Sequence, residues 1–143
     1  DDPTAIELYG KPVLLMHGDT LCTDDLDYQT FRRMVRGEEW HLHFLGKPVH
    51  HRLAMAQQAR DASMKATGSK PAEIMDVSQE TVEAVMRKHG IYTMVHGHTH
   101  RPAVHRFQVD GHPATRIVLG DWHEQGSVLR WSPSGFSLDP LPR

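Results

Sequence analysis

The chain lacks the features that define several classes of protein. Among its 143 residues only Cys22 is a cysteine, so no disulfide can form within the chain, as is typical of a reducing compartment. No apolar run approaches the roughly 20 residues of a membrane-spanning helix. The acidic start, Asp1-Asp2-Pro3, does not resemble a signal peptide, and because the first residue is not methionine we expect a fragment or a processed product. Apolar residues make up 38%, which favours one folded domain over disorder.

Histidine and local positive charge are the two excesses of the composition. The chain has 12 histidines and a net charge of −2. Between Tyr28 and Lys70, however, there are eight Lys or Arg residues and only three acids. This cationic segment is either a solvated helix face or a surface for phosphate groups and anionic lipid headgroups. We expect no nucleic-acid partner, because the overall charge is negative and aromatic residues do not alternate with the basic ones.

Hydrophobic patterning predicts a mixed α/β fold. Residues 11–16 and 91–95 are short apolar runs typical of strands buried on both faces, and residues 78–88 form an amphipathic helix that Ser78 can cap. Two hairpins are predicted at residues 103–119 and 127–138, the first around Asp110-Gly111. Residues 24–70 read as a helical insertion that Gly46-Lys47-Pro48 divides into two or more helices.

Each of the two apolar runs ends in a cluster of histidines flanked by glycine. His17 follows the first run, and His96, His98 and His100 follow the second. Because ligands bind at the carboxyl ends of parallel strands, both clusters are expected at one sheet edge. In an extended segment His98 and His100 point the same way and can reach one metal or two adjacent metals.

Imidazole suits Mn, Fe, Zn, Co and Ni, and the single cysteine favours an open catalytic site over a structural zinc site. The alternative is that these histidines are ordinary polar surface. Carboxylates near the same edge either orient metal-bound histidines or cap helices. They are Asp19, Asp24, Asp25, Asp27 and Asp121.

Several motifs resemble a known superfamily. Gly97-His98-Thr99-His100 is similar to the closing signature of the calcineurin-like metallophosphoesterases, and His17-Gly18-Asp19 to an earlier motif. Longer strings resemble one family within it, the UDP-2,3-diacylglucosamine diphosphatases, over nearly the whole chain. They are Glu7-Leu8-Tyr9-Gly10, the specific run of residues 16–25, Ile74-Met75-Asp76-Val77, residues 96–105, and Val118-Leu119-Gly120-Asp121-Trp122-His123.

The resemblance implies both a fold and a reaction. The fold is the C-terminal three-fifths of a calcineurin-like αββα sandwich, so residues 1–143 are part of one metallophosphoesterase domain with a helical cap at about residues 24–70. The reaction is hydrolysis of the pyrophosphate bond of UDP-2,3-diacylglucosamine to UMP and 2,3-diacylglucosamine 1-phosphate in lipid A biosynthesis. The resemblance further implies that a dinuclear Mn²⁺ site activates the attacking hydroxide. It also implies a cytoplasmic enzyme that is peripheral on the inner membrane of Gram-negative bacteria and whose cap holds the acyl chains.

The resemblance also assigns residues by motif. It implies that His17 and His98 bind one Mn²⁺, that His100 binds the other, and that His98 is catalytic. Residues similar to those around the substrate head group are Asp25, Tyr28, Arg60, Ser63, Thr67, Lys70 and His98.

The chain also departs from the family pattern. It has no Asp-x-His near an N-terminal strand and no Gly-Asn, which belong to the first half of the family. Three histidines without a bridging carboxylate predict an incomplete site, so we expect the missing N-terminal half to be a partner. Two other hypotheses remain at this point: a metallophosphoesterase with another phosphodiester or nucleotide substrate, and an inactive fragment that only binds metal or lipid.

Overall fold

The computed structural model describes residues 2–122 and 126–142, which leaves His123 of the last motif outside the described residues. The chain divides into a sheet unit, Asp1–Leu21 with Val77–Arg143, and a helical unit, Cys22–Asp76. The strands are β1 Thr4–Leu8, β2 Lys11–Met16, β3 Thr93–His96, β4 Ala103–Val109, β5 His112–Val118, β6 Gly126–Ser132 and β7 Gly135–Leu141. The α-helices are α1 Leu26–Val35, α2 Glu38–Leu45, α3 Val49–Ser69 and α4 Gln79–His89. No helix of the described residues is long and apolar enough to span a membrane.

The sheet unit contains a five-stranded mixed sheet in the order β1-β2-β3-β5-β4. Its central pairs, β2 with β3 and β3 with β5, are parallel, and the outer strands β1 and β4 pair antiparallel to their neighbours. Strands β6 and β7 form a separate antiparallel hairpin. The predicted α/β class, both central strands and both hairpins are confirmed. Strand β1 was not predicted, because its half-exposed residues form no continuous apolar run.

Side chains of the central strands alternate between two hydrophobic cores. Leu14 and Met94 lie in the first core with Val82 and Met86 of α4. Val13, Val95 and Ile117 form the second core, against which side chains of the β6–β7 hairpin pack. Because side chains from both faces of β2 and β3 are buried, the middle of each strand is apolar, as the sequence indicated.

Helix α4 begins and ends close to where the sequence predicted. Ser78 occupies the N-cap position, but its side chain makes no capping hydrogen bond. Gly90 ends the helix with a φ of 65°, a left-handed conformation that glycine adopts without steric cost. Val77 and Val82, which occupy the two positions of a hydrophobic staple, pack in the same core.

The helical unit consists of α1, α2 and α3. The break between α2 and α3 falls at Gly46-Lys47-Pro48, which confirms the prediction of several helices. None of the residues in these three helices is buried. Leu42, Leu45 and Leu53 are 62–70% exposed, so this unit presents several large apolar side chains at its surface.

Candidate metal centre and ligand grooves

The two histidine clusters of the sheet unit meet because β2 and β3 are parallel neighbours. Met16 is in register with His96, so the residues that follow each strand emerge at the same sheet edge. The Gly97 amide donates a hydrogen bond of 3.0 Å to the His17 carbonyl and joins the two turns. The predicted convergence of both clusters at one edge is therefore correct.

His17 and His98 form a pair of imidazoles at this edge. Their ring centroids are 5.0 Å apart and the rings are tilted by 55°. His17 Nδ1 lies 3.1 Å from Oδ1 of Asp19, a fully buried residue. A buried carboxylate thus lies beside the imidazole, and carboxylates next to metal-binding histidines commonly support them.

His100 takes a different position from the one that strand alternation predicted. Both His98 (φ 66°) and His100 (φ 53°) have left-handed backbone conformations, so the segment is a turn. The argument that they point the same way because the segment is extended is therefore wrong. His100 Nδ1 lies 3.7 Å from Oδ2 of Asp121, a longer contact than that between His17 and Asp19.

The donor set of this edge fits part of a metal site. Two neutral imidazoles 5.0 Å apart can both reach one ion at a metal–nitrogen distance of about 2.1 Å. Within residues 2–122 and 126–142, no group of three or more His, Cys, Asp or Glu side chains is arranged to hold a metal ion. The described part of the chain thus offers a histidine pair rather than a closed ligand set.

The helical unit contains a cavity of about 240 Å³ between α1 and α3. Five of the residues assigned to the substrate head group line it: Asp25, Tyr28, Ser63, Thr67 and Lys70. Arg60, the remaining assigned residue of this unit, lies on α3 and is not among the lining residues. Most of the polar residues selected by the motifs therefore lie together.

Asp25 and Lys70, which both line this cavity, form an ion pair. Asp25 caps α1 by accepting a 3.0 Å hydrogen bond from the Tyr28 amide, and it also accepts one from the Lys70 ammonium. Asp27 lies 3.3 Å from the same ammonium. The hydrogen bond to Asp25 raises the pKa of Lys70 above its ordinary value, so the lysine stays charged.

A second groove of about 600 Å³ lies in the same unit and is mainly apolar. Phe31, Met34, Trp40 and Met55 contribute its largest apolar side chains. Trp40 stacks on Phe44 with ring centroids 4.6 Å apart, which fixes the orientation of the indole. The groove can hold a flexible hydrocarbon chain, because its walls offer few hydrogen-bonding groups.

Sequence reasoning missed two parts of these sites. The small residues Ala59, Ala62 and Ala66 open the cavity along α3, and their helical spacing was a signal that could have been used. The other is the role of His96, which the sequence groups with the candidate metal-binding histidines but which is fully buried and contacts the buried Arg116. Nothing in the sequence distinguishes this histidine from its neighbours, since the contact spans 20 residues.

The sheet edge and the grooves define an α/β protein with a candidate metal site in its sheet unit and candidate ligand grooves in its helical unit. No family model matches the chain. It is 52% identical over 149 aligned residues to the UDP-2,3-diacylglucosamine hydrolase of Stenotrophomonas maltophilia K279a, covering 99% of this chain and 60% of that protein. Proteins of the same name from Azotobacter vinelandii and Nitrosococcus oceani are each 52% identical, over 99% and 94% of this chain and 58% and 54% of theirs.

The chain is therefore a homologue of the UDP-2,3-diacylglucosamine hydrolases, the family that the motifs predicted. It spans about three-fifths of the length of these relatives.

Proposed function

We propose that the chain is the C-terminal part of a hydrolase that cleaves the pyrophosphate bond of UDP-2,3-diacylglucosamine. The products are UMP and 2,3-diacylglucosamine 1-phosphate, an intermediate of lipid A biosynthesis. The observation that carries this proposal is the identity of 52% over 99% of the chain to a protein named for that substrate. Substrate-sized grooves in the helical unit support it.

In this proposal the sheet unit is part of a calcineurin-like αββα sandwich. The mixed sheet, with α4 on one face and the β6–β7 hairpin on the other, is compatible with such a fold. Residues of about 24–70 form the cap, and the helical unit observed over Cys22–Asp76 is consistent with it.

His17, His98 and His100 are the proposed metal-binding residues. Two Mn²⁺ ions, when bound to the complete site, supply charge neutralisation and a nucleophile at neutral pH. The chain's own contribution is positional: the Asp19 contact orients His17, and the turn that begins at Gly97 places His98 beside it. We assign the catalytic role to His98, which contacts both metal and substrate in this proposal.

The cavity and groove of the helical unit suit the two chemically different parts of a glycolipid. Asp25, Ser63 and Thr67 offer oxygen atoms that can hydrogen-bond to sugar hydroxyl and amide groups. Lys70 keeps its charge. Its ammonium can pair with a phosphate once it is released from its ion pairs with Asp25 and Asp27. The larger apolar groove, with Phe31 and Trp40, suits the acyl chains.

We also propose that the α2–α3 turn contacts the inner membrane from the cytoplasm. Leu42, Leu45 and Val49 are 61–70% exposed around the turn. Lys47 and Arg52 lie within the same stretch and can pair with anionic headgroups. Apolar side chains bordered by cations are the pattern of a peripheral membrane contact.

Activity is proposed to require a further segment, equivalent to the part of the relatives that this chain does not cover. The described residues present a histidine pair and no closed ligand group. A segment with carboxylate and amide ligands is the partner that such a pair needs.

The test is Mn²⁺-dependent release of UMP from UDP-2,3-diacylglucosamine. The chain is assayed alone and together with the uncovered N-terminal portion of the Stenotrophomonas relative. We expect UMP release only from the mixture, its loss on chelation, and its recovery when Mn²⁺ is restored. A mixture that binds Mn²⁺ and releases no UMP contradicts the assigned substrate.

Two variants and one competition assay sharpen this test. His98→Ala is expected to lower the rate at least about 100-fold, whereas His89→Ala, at the exposed end of α4, leaves it unchanged. Competition by UDP-linked glycolipids but not by other nucleotide phosphodiesters is expected. The reverse order of competition favours the alternative metallophosphoesterase substrate.

A further inference from the structure

Gly97, the residue that precedes His98, is held by hydrogen bonds at both its amide and its carbonyl. The Gly97 amide donates to the His17 carbonyl at 3.0 Å. The Gly97 carbonyl lies 2.9 Å from Nδ1 of His96 and also accepts from the Thr99 amide at 2.8 Å. Because the Gly97 carbonyl belongs to the peptide group that joins Gly97 to His98, its two contacts fix the plane of that peptide, from which the positive φ of His98 begins.

The tautomer of His96 follows from its other neighbour. Nη1 of Arg116 lies 3.1 Å from His96 Nε2, and a guanidinium has only donors. Nε2 must therefore accept, which places the ring proton on Nδ1, where it donates to the Gly97 carbonyl. Arg116 thus selects the tautomer that holds the turn.

The neighbouring turn is fitted to the same ring. A Cβ atom at Gly18 would lie 2.8 Å from His96 Nδ1 and 3.1 Å from the Gly97 carbonyl oxygen. His96 is fully buried and Arg116 is 7% exposed, so the contacts lie in a low-dielectric interior where hydrogen bonds are strong. The ring therefore lies between the turn that carries His17 and the turn that carries His98.

We infer that His96 and Arg116 form a positioning pair that sets the separation of His17 and His98. Neither residue binds the ligand in this inference; Arg116 fixes the tautomer of His96, and His96 fixes the Gly97–His98 peptide. The inference rests on the proposed function in one respect, namely that the two outer histidines bind a metal ion.

Two substitutions separate the two hydrogen bonds of His96. In His96→Asn the side-chain amide can replace Nδ1–H and keep the bond to the Gly97 carbonyl. In His96→Gln the longer side chain can place its oxygen at the position of Nε2 and keep the contact with Arg116, while the bond to Gly97 is lost. His89→Gln makes the same change at an exposed histidine and serves as the control.

The experiment measures Mn²⁺ affinity of these variants, with the folding stability of each as a parallel measurement. Electron paramagnetic resonance reports free Mn²⁺, and the mixture with the uncovered portion of the relative is the sample. We expect about a tenfold loss of affinity for His96→Gln, little change for His96→Asn and none for His89→Gln. Equal affinity in all variants, or losses that only follow stability, overturn the inference.

A second readout does not depend on metal. Nitrogen-15 spectra of histidine are expected to show His96 as the Nδ1–H tautomer, and Arg116→Met to mix the tautomers. Nuclear Overhauser contacts between the His17 and His98 rings are expected to persist in His96→Asn and to weaken in His96→Gln. If the unchanged protein binds no Mn²⁺, the metal proposal fails, and these contacts still decide the inference: their persistence in both variants overturns it.

Discussion

At the scale of single residues, the histidine edge depends on one position without a side chain. Gly18 has a φ of 106°, and any Cβ there would meet His96 Nδ1 at 2.8 Å. Two costs therefore act at this position, a backbone conformation that L-residues avoid and a steric overlap with a buried ring. Gly10 has a φ of 75° but no atom within 4 Å of its Cβ position, so it carries only the first cost.

Gly18→Ala is expected to destabilise the protein more than Gly10→Ala. The left-handed conformation costs about 1–2 kcal/mol at either position, and overpacking adds about 1–3 kcal/mol at Gly18 alone. Urea unfolding of both variants measures the difference. Equal losses would show that the His96 ring moves aside freely.

At this same scale the sequence predicted residue types better than conformations. The motifs selected His17 and His98, and the structure brings the two rings together. The positive φ of His98 and His100 was not predictable, because non-glycine residues in this conformation follow from the surrounding hydrogen bonds rather than from their own preference.

At the scale of secondary-structure elements, two helices begin in different ways. Asp25 caps α1 through its side chain, whereas Ser78 occupies the cap position of α4 without such a bond. The start of α4 is instead held by a 2.9 Å hydrogen bond from the Ser78 amide to the Leu21 carbonyl and by core packing of Val82. Residue preference alone predicted a cap at Ser78, and the tertiary contact replaced it.

Asp25→Ala is therefore expected to lower the free energy of unfolding by about 1–2 kcal/mol. Ser78→Ala is expected to change it by less than about 0.5 kcal/mol, because its hydroxyl makes no capping bond. Asp25→Asn keeps a capping oxygen and serves as the control for helix α1. The measurement is chemical unfolding at neutral pH, and a larger loss for Ser78→Ala contradicts the assignment.

An ion pair links helix α4 to the β4–β5 turn and makes stability depend on pH. Arg87 Nε lies 2.6 Å from Oδ2 of Asp110, and this hydrogen bond lowers the pKa of the Asp110 carboxyl. A carboxyl with a lowered pKa in the folded state stabilises fully above its unfolded value of about 4. The contribution is lost as the pH falls through the lowered folded value.

The expected result is that Asp110→Asn is less stable than the unchanged protein at pH 7. The difference should shrink below about pH 4 and vanish at the lowest pH of the series. Asparagine suits this test because Asp110 has a φ of 50°, which asparagine tolerates. Urea titrations at several pH values supply the measurement. Glu80→Gln, on the helix α4 that carries Arg87, is the control. A constant difference at all pH values would exclude the ion pair as its cause.

At the scale of the whole molecule, the two units differ in how their elements are stabilised. Central strands of the sheet unit have fully buried residues such as Leu14, Met94 and Ile117, whereas α1, α2 and α3 have none. Local unfolding is easiest where few apolar contacts are buried. The hydrophobic pattern predicted the central strands because their buried residues form continuous apolar runs. The apolar residues of the helical insertion are exposed, so the pattern did not indicate where that unit begins and ends.

Amide hydrogen exchange is expected to differ between the helical unit and the sheet unit. Peptides from α3 should exchange faster than peptides from β3 and β5 under native conditions. Vesicles with anionic lipid are expected to slow exchange around the α2–α3 turn and to leave β3 unchanged, if the exposed leucines meet a membrane. Neutral vesicles provide the control for the contribution of charge. Uniform exchange rates across the chain would contradict this division.

The hydrogen bond between the Ser78 amide and the Leu21 carbonyl has a consequence for how such proteins diversify. It holds the exit and the re-entry of the sheet unit side by side, so the helical segment joins its host at a single closed junction. A helical segment of other length or composition can be inserted at that junction. The strand register that places the His17 ring beside the His98 ring is then retained. Changes in the proposed ligand grooves and changes at the proposed metal edge can therefore arise independently.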